Sequence, residues 1–157
     1  SKAAFPMNVI LRTMPQKAQF SEMPTEDDRI AFGEYLVKAA VCGDCHTDFK
    51  NGKFIGEPLA GGREFVSPDG SIVRSANLTP HENGLGTWTM DQFVQRFKRY
   101  ADSTYTPEPI APGDFQSLMP WVMYGGMKES DLEAIYIYLQ SLEPVNNEVI
   151  RFSKAGM

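Results

Sequence analysis

The chain has 157 residues, which is enough for one domain with a substantial hydrophobic core. Its formal net charge of −5 argues against nucleic acid as a partner. No apolar run is long enough to span a bilayer, and the first residues lack the apolar core of a signal peptide. A signal sequence or membrane anchor that precedes Ser1 is left open.

The first 24 residues contain three prolines and show no helical period. Their apolar side chains are irregularly spaced, namely Phe5, Val9, Ile10, Leu11 and Phe20. We expect residues 1–24 to form an extended arm that lies on the next domain and is pinned by these side chains. A partly disordered leader is the alternative.

A first helix is predicted to start near Thr25 and to lead directly into Cys42. Thr25 and Asp28 resemble a capping box, and the acidic run at 26–28 favours a helix N-terminus. The apolar residues that follow have helical spacing. Gly33 lies inside this helix at a cost of about 1 kcal/mol relative to alanine. Because a glycine has no side chain, its presence here predicts that a second helix crosses closely at that point.

The segment Cys42-Gly43-Asp44-Cys45-His46 has the C-x-x-C-H pattern that is typical of covalent haem attachment. Two thiols three residues apart on one turn can reach the two vinyl groups of a porphyrin and form thioethers. The imidazole of His46 then points at the iron, for which it is a suitable ligand.

Other functions of a cysteine pair fit this segment less well. A thioredoxin-like pair follows a strand, and no strand pattern precedes Cys42. A zinc site needs two further ligands, but the chain contains only two cysteines and two histidines. A disulfide between Cys42 and Cys45 would be strained and would close almost no loop.

Residues 47–80 carry turn signals, and a small hairpin is predicted among them. Phe65-Val66 and Ser71-Ile72-Val73 flank the turn Pro68-Asp69-Gly70 and can pair with each other. The next helix is predicted to begin at Thr89, with Gln92 completing a capping box.

The apolar stripe of that helix is followed by a proline-rich loop and a last helix. The stripe consists of Phe93, Val94, Phe97 and Tyr100. Arg96, Lys98 and Arg99 form a basic surface that we interpret as solvated rather than as a docking patch. The loop covers 101–120, and the last helix runs from a capping box at Ser130 to Pro144.

A haem that only transfers electrons needs a second axial ligand, and Met119 is the first choice. It lies in the proline-rich loop, which is long enough to wrap around the ring, and Pro120 stiffens the backbone beside it. Met123 and Met127 follow at four-residue spacing, which is more typical of core packing. Met127 is the main alternative, followed by Met123 or by no methionine ligand. Thioether ligation raises the reduction potential, and a filled sixth position favours electron transfer over catalysis.

These motifs resemble those of the class I cytochromes c. Pro58, in Gly56-Glu57-Pro58-Leu59, resembles the family proline whose carbonyl accepts a hydrogen bond from the ligand imidazole. Trp88, in Gly84-Leu85-Gly86-Thr87-Trp88, resembles the tryptophan whose indole binds a haem propionate, although an ordinary core aromatic is the alternative. Tyr138 resembles the aromatic residue that packs on a glycine of the first helix, which here implies a contact with Gly33.

A narrower resemblance covers 29–144 and includes Ala76-Asn77-Leu78-Thr79-Pro80 and Met119-Pro120-Trp121. It is to a bacterial subgroup of single-haem carriers and of cytochrome domains or subunits of dehydrogenases, often membrane-anchored. It implies a mainly α class I cytochrome c fold with helices packed around one covalently bound haem c. The expected division is an arm at 1–24, a cytochrome domain at 25–144 and a tail at 145–157.

The resemblance implies a periplasmic or otherwise extracytoplasmic electron carrier rather than an enzyme. Its partners would be a reductase or dehydrogenase and an oxidase or other acceptor. One alternative is a cytochrome domain or subunit that accepts electrons from a dehydrogenase. A less favoured alternative is a haem protein that binds a small ligand or reduces peroxide.

Overall fold

The computed structural model describes residues 4–14, 22–111 and 113–156. The helices of this part are α1 Met7–Thr13, α2 Arg29–Ala39, α3 Cys42–His46, α4 Met90–Lys98, α5 Trp121–Gly125 and α6 Glu129–Gln140. The strands are β1 Phe49–Lys50, β2 Lys53–Phe54, β3 Glu64–Val66, β4 Ile72–Arg74 and β5 Phe152–Ser153. The two antiparallel sheets have the orders β1-β2 and β3-β4-β5. Helices with small sheets are consistent with the predicted fold class.

Helices α2 and α6 cross in close contact at Gly33. A Cβ atom on Gly33 would overlap the carbonyl group of Ala134 and lie 2.8 Å from Cβ of Tyr138. Any side chain at this position would force the two helices apart. The predicted contact between Gly33 and Tyr138 is therefore confirmed.

The predicted capping box was confirmed at α4, whereas those predicted for α2 and α6 were wrong. Helix α2 begins at Arg29, four residues after the predicted start, because Asp28 is the N-cap and accepts a hydrogen bond from the backbone N–H of Ala31 at 3.1 Å. Thr89 and Gln92 form the predicted capping box of α4. Helix α6 begins at Glu129, before the predicted box, and its N-cap makes no side-chain hydrogen bond.

The hairpin prediction was confirmed, whereas the extended N-terminal arm was wrong over residues 7–13. Strands β3 and β4 pair with Phe65 opposite Val73. Residues 7–13 form α1, because the first turn tolerates a proline at its start and no proline interrupts the run that follows. Phe5 is 81% exposed and Ile10 49%, so these side chains do not pin the segment to a core. Phe20 lies outside the described residues.

Part of the predicted C-terminal tail, 145–157, packs on the hairpin. Strand β5 extends the sheet, with Phe152 opposite Val73. The side chain of Asn77 donates a hydrogen bond to the carbonyl of Val145 at 2.8 Å. Residues 145–153 thus contact both β4 and the loop that contains Asn77.

A single buried cluster links α2, α4 and α6 with the loops between α3 and α4. Its buried members are Val37, Leu59, Leu85, Phe93, Ile135 and Leu139. Partly buried side chains that pack against it include Cys42, Trp88 and Met127, so residues predicted to act on a haem border the core. Within the part of the chain that the structure describes, no helix is both long and apolar enough to cross a bilayer.

Candidate functional site

Helix α3 consists of the C-x-x-C-H segment alone. Val41, between α2 and α3, has a left-handed backbone conformation with φ 56°. This conformation is strained for a β-branched residue, and it sets the cysteine turn at a new direction after α2 ends. The predicted continuous helix into Cys42 is therefore wrong.

Both cysteines of this turn are free thiols with different surroundings. Cys42 is half-buried and Cys45 is exposed. Burial raises the pKa of Cys42 to about 11, and the nearby Cys45 thiol adds to this rise, against a lowering by a backbone hydrogen bond. In the polypeptide without thioether bonds, Cys42 is thus a protonated thiol at neutral pH.

His46 has one ring nitrogen fixed by the backbone. Its Nδ1 lies 2.8 Å from the carbonyl oxygen of Ala76. Burial lowers the pKa of His46, and Arg151 lowers it further, while the Ala76 carbonyl opposes this effect. The imidazole is therefore neutral at pH 7. Its Nδ1–H donates to the carbonyl of Ala76, which leaves the Nε2 lone pair available to bind a metal ion.

The carbonyl that holds His46 is not the one that the sequence predicted. The expected acceptor was Pro58, which is exposed in the structure, and the observed acceptor is Ala76. The turn at Pro58 is anchored differently, since the backbone N–H of Leu59 donates to the Thr47 hydroxyl at 3.1 Å. The segment 76–80 is part of the family resemblance, but the sequence assigns no role to any of its residues.

Met119 lies in a tight turn held by Ser117 and Trp121. The Ser117 hydroxyl accepts from the Met119 backbone N–H at 3.3 Å and from the Trp121 indole N–H at 3.1 Å. The Trp121 ring stacks on Tyr100 with centroids 5.2 Å apart, and the Arg96 guanidinium lies 4.6 Å from its centroid. An aromatic stack on the surface of α4 thus fixes the backbone at Met119.

Helix α5 brings the methionine-containing segment beside the cysteine turn. The Tyr124 hydroxyl donates to the carbonyl of Ala40 at 2.8 Å. Burial raises the pKa of the Tyr124 hydroxyl. Helix α5, with five residues, was not predicted from the sequence.

The three candidate methionines have distinct surroundings. Met119 is half-buried in its turn, whereas Met123 is 78% exposed. Met127 packs against the buried cluster, and Lys98 Nζ donates to its carbonyl at 2.7 Å and to that of Gly125 at 3.2 Å. The backbone around Met127 is thus tied to the end of α4.

Trp88 lines one side of a surface groove of about 500 Å³ along α4. Its ring packs partly against the core, and its carbonyl accepts a hydrogen bond from the Tyr136 hydroxyl at 2.6 Å. Arg96 and Arg99 line the same groove. Asp91 lines it as well, so the two guanidinium groups leave the groove with a net positive charge that suits a carboxylate group.

The donor set at α3 fits a covalently attached haem. Cys42 and Cys45 offer two free thiols on one turn, and His46 offers a neutral imidazole oriented by a backbone carbonyl. These are the groups that haem c attachment and axial ligation require.

Comparison with known proteins found cytochrome subunits of dehydrogenases. The fructose dehydrogenase cytochrome subunit of Gluconobacter japonicus is 32% identical over 121 residues, which cover 74% of this chain and 22% of that protein. The cytochrome c subunit of the quinone alcohol dehydrogenase of Gluconobacter oxydans is 30% identical over 118 residues, or 72% of this chain and 21% of that protein. The gluconate 2-dehydrogenase cytochrome c subunit of Pantoea cypripedii is 30% identical over 130 residues, or 82% and 26%.

The chain spans about a fifth to a quarter of the length of these relatives. No protein-family model matches it. The similarity, which extends over about three quarters of the chain, supports a c-type cytochrome with a role in electron transfer.

Proposed function

We propose that this chain is a c-type cytochrome domain that transfers single electrons through one haem c. The premise is its similarity to cytochrome c subunits of dehydrogenases. The observation that carries the proposal is the pairing of two free cysteines on one turn with a histidine whose Nδ1 is held 2.8 Å from a backbone carbonyl. A bound haem supplies a one-electron iron couple, and the polypeptide supplies its attachment, its ligands and its surroundings.

Each residue of the site has a proposed role in holding the group. Cys42 and Cys45 form the thioether bonds, and His46 is one axial ligand. Met119 is the other axial ligand, with Met127 as the alternative. Trp88 binds a haem carboxylate, and the guanidinium groups of its groove favour that negative charge.

Methionine variants test the ligand set directly. In the haem-loaded protein, the sixth ligand gives a weak far-red absorption band in the oxidised state. We expect Met119→Ala to remove this band and to lower the reduction potential, because thioether ligation favours the reduced iron. Met127→Ala and Met123→Ala are the matched controls and should retain the band.

Two outcomes would contradict this assignment. Loss of the band in Met127→Ala alone would transfer the ligand role to Met127. A matured wild-type protein without haem bands, or one that binds carbon monoxide as readily as an open haem does, would reject the electron-carrier function.

A dehydrogenase is the proposed electron donor, because the similar proteins are named as subunits of such enzymes. The final acceptor would be an oxidase or another redox protein, and the location would be periplasmic or otherwise extracytoplasmic. Co-purification with a dehydrogenase subunit would favour a role inside a complex. Reduction of the isolated domain only by small mediators, and by no dehydrogenase, would argue against this partner.

A further inference from the structure

The carbonyl that holds His46 belongs to the peptide unit between Ala76 and Asn77. Gly61 packs directly against this unit, since a Cβ atom on Gly61 would lie 2.5 Å from the carbonyl carbon of Ala76 and 2.6 Å from the nitrogen of Asn77. The backbone N–H of Gly61 also donates to the carbonyl of His46 at 2.7 Å. The peptide unit is thus pressed against the backbone that follows the ligand.

Asn77 contributes the nitrogen of this peptide unit, and its side chain is held by buried hydrogen bonds. It is only 3% exposed, and its Oδ1 accepts from the backbone N–H of Thr79 at 2.9 Å and from the Thr79 hydroxyl at 2.8 Å. Its Nδ2 donates to the carbonyl of Val145 at 2.8 Å. Because its donor and its acceptor are both used, Asn77 cannot rotate without leaving buried polar groups unpaired.

The partner of Asn77 is a short C-terminal segment, residues 145–147, which we name the C-terminal strap. The backbone N–H of Val145 donates to the Thr79 hydroxyl at 3.1 Å. The side chain of Asn147 donates to the carbonyl of Ala60 at 2.9 Å. The strap therefore bonds to Ala60, which precedes the glycine bonded to the His46 carbonyl, and to residues 77–79, which follow the carbonyl bonded to its imidazole.

We propose that Asn77, anchored by the C-terminal strap, is a positioning residue that keeps the Ala76 carbonyl on Nδ1 of His46 and so fixes the orientation and basicity of this haem ligand. The proposal rests on the proposed function, since it concerns the ligand of the same haem. It assigns a role at the ligand to a segment that begins 99 positions after His46 along the chain. Partners of this kind typically change the performance of a metal site 10- to 100-fold when they are lost.

The test compares Asn77→Ala with Asn83→Ala in the reduced, haem-loaded protein. Asn83 is a matched control because its Nδ2 also bonds to the strap, at Oδ1 of Asn146 and 2.9 Å, but in an exposed turn. Nuclear magnetic resonance measures the exchange of the His46 Nδ1–H with solvent, relative to the amide N–H of Leu139 in the core. We expect exchange to become about tenfold faster in Asn77→Ala and to stay unchanged in Asn83→Ala.

A redox titration of the same variants gives a second readout. A weaker bond from Nδ1–H makes the imidazole a poorer donor to the iron, so the reduction potential should rise in Asn77→Ala. If this variant does not fold, Thr79→Val removes the hydroxyl that joins Asn77 to Val145 and should show the same changes to a smaller extent.

The inference is overturned if a folded Asn77→Ala or Thr79→Val protein has the same Nδ1–H exchange and potential as Asn83→Ala. That result would leave the electron-carrier function intact, because the wild type would still show haem c bands. Absence of those bands from the wild type would instead reject the proposed function, so the two failures are distinguishable.

Discussion

His46 and Met119, the two proposed axial ligands, lie in regions that are held together by different interactions. The histidine side, residues 46–79 with the C-terminal strap, is stabilised by buried polar side chains, with Thr47 6% exposed and Thr79 1% exposed. The methionine side, residues 117–127, is held by ring stacking on α4, and Leu118 within it is 58% exposed. Buried hydrogen bonds are costly to leave unmade, whereas an exposed turn can open locally. The methionine should therefore be the ligand that dissociates first.

On the histidine side, the largest decrease in the free energy of unfolding is expected from Gly61→Ala. Gly61 and Gly52 both have left-handed backbones, with φ +78° and +79°, but only Gly61 has backbone atoms of another segment within 4 Å of an added Cβ. The left-handed conformation costs an alanine about 1–2 kcal/mol at either position. The clash with the Ala76–Asn77 peptide should cost Gly61→Ala about 3 kcal/mol more. Urea unfolding of haem-loaded Gly61→Ala and Gly52→Ala measures this difference in the free energy of unfolding. Equal losses in the two variants would show that the Ala76–Asn77 peptide moves aside at little cost.

The next largest effect is expected from Lys98→Met, which loosens the end of the methionine side. Lys98 donates to the carbonyls of Gly125 and Met127, and replacing it should lower the free energy of unfolding by about 2 kcal/mol. The far-red band should survive, because the proposed ligand Met119 lies outside this contact. Lys38→Met is the control, since Lys38 forms an exposed ion pair with Glu34 and its replacement should leave the free energy of unfolding almost unchanged. Loss of the band in Lys98→Met would favour Met127 as the ligand.

The features that could be predicted from the sequence are those that depend on local patterns or on resemblance to a family. The cysteine turn, the hairpin, the capping box at Thr89 and the contact of Gly33 with Tyr138 depend on short motifs or on one glycine at a helix crossing. The acceptor at His46 could not be found in this way, because it is a backbone carbonyl 30 residues away, and any residue can supply a carbonyl. The sequence did not predict the C-terminal strap for a similar reason. Its bonds use the backbone N–H and carbonyl of Val145 and the side chain of Asn147, and an asparagine in a polar segment does not indicate burial.

A smaller effect, confined to ligand exchange, is expected from Ser117→Ala. This change removes the acceptor shared by the Met119 backbone and the Trp121 indole, and two neutral hydrogen bonds together contribute about 1–2 kcal/mol. If these bonds hold Met119 on the iron, the oxidised protein should bind added imidazole about tenfold more tightly. Spectral titration measures this affinity, and Ser103→Ala, in the exposed part of the same loop, is the control. An unchanged affinity would mean that the Ser117 turn does not restrain the ligand.

The smallest effect separates the stability of α4 from the restraint on Met119. Thr89→Ala removes the capping box at the start of α4 and should cost about 1 kcal/mol in urea unfolding. Ser130→Ala is its counterpart in sequence, but the N-cap of α6 makes no side-chain hydrogen bond, so we expect a loss below about 0.5 kcal/mol. The aromatic stack on Trp121 involves Phe97 and Tyr100, at the opposite end of α4 from Thr89. Imidazole affinity should therefore stay at the wild-type value in Thr89→Ala, and an increase would mean that the restraint on Met119 depends on the stability of the whole helix.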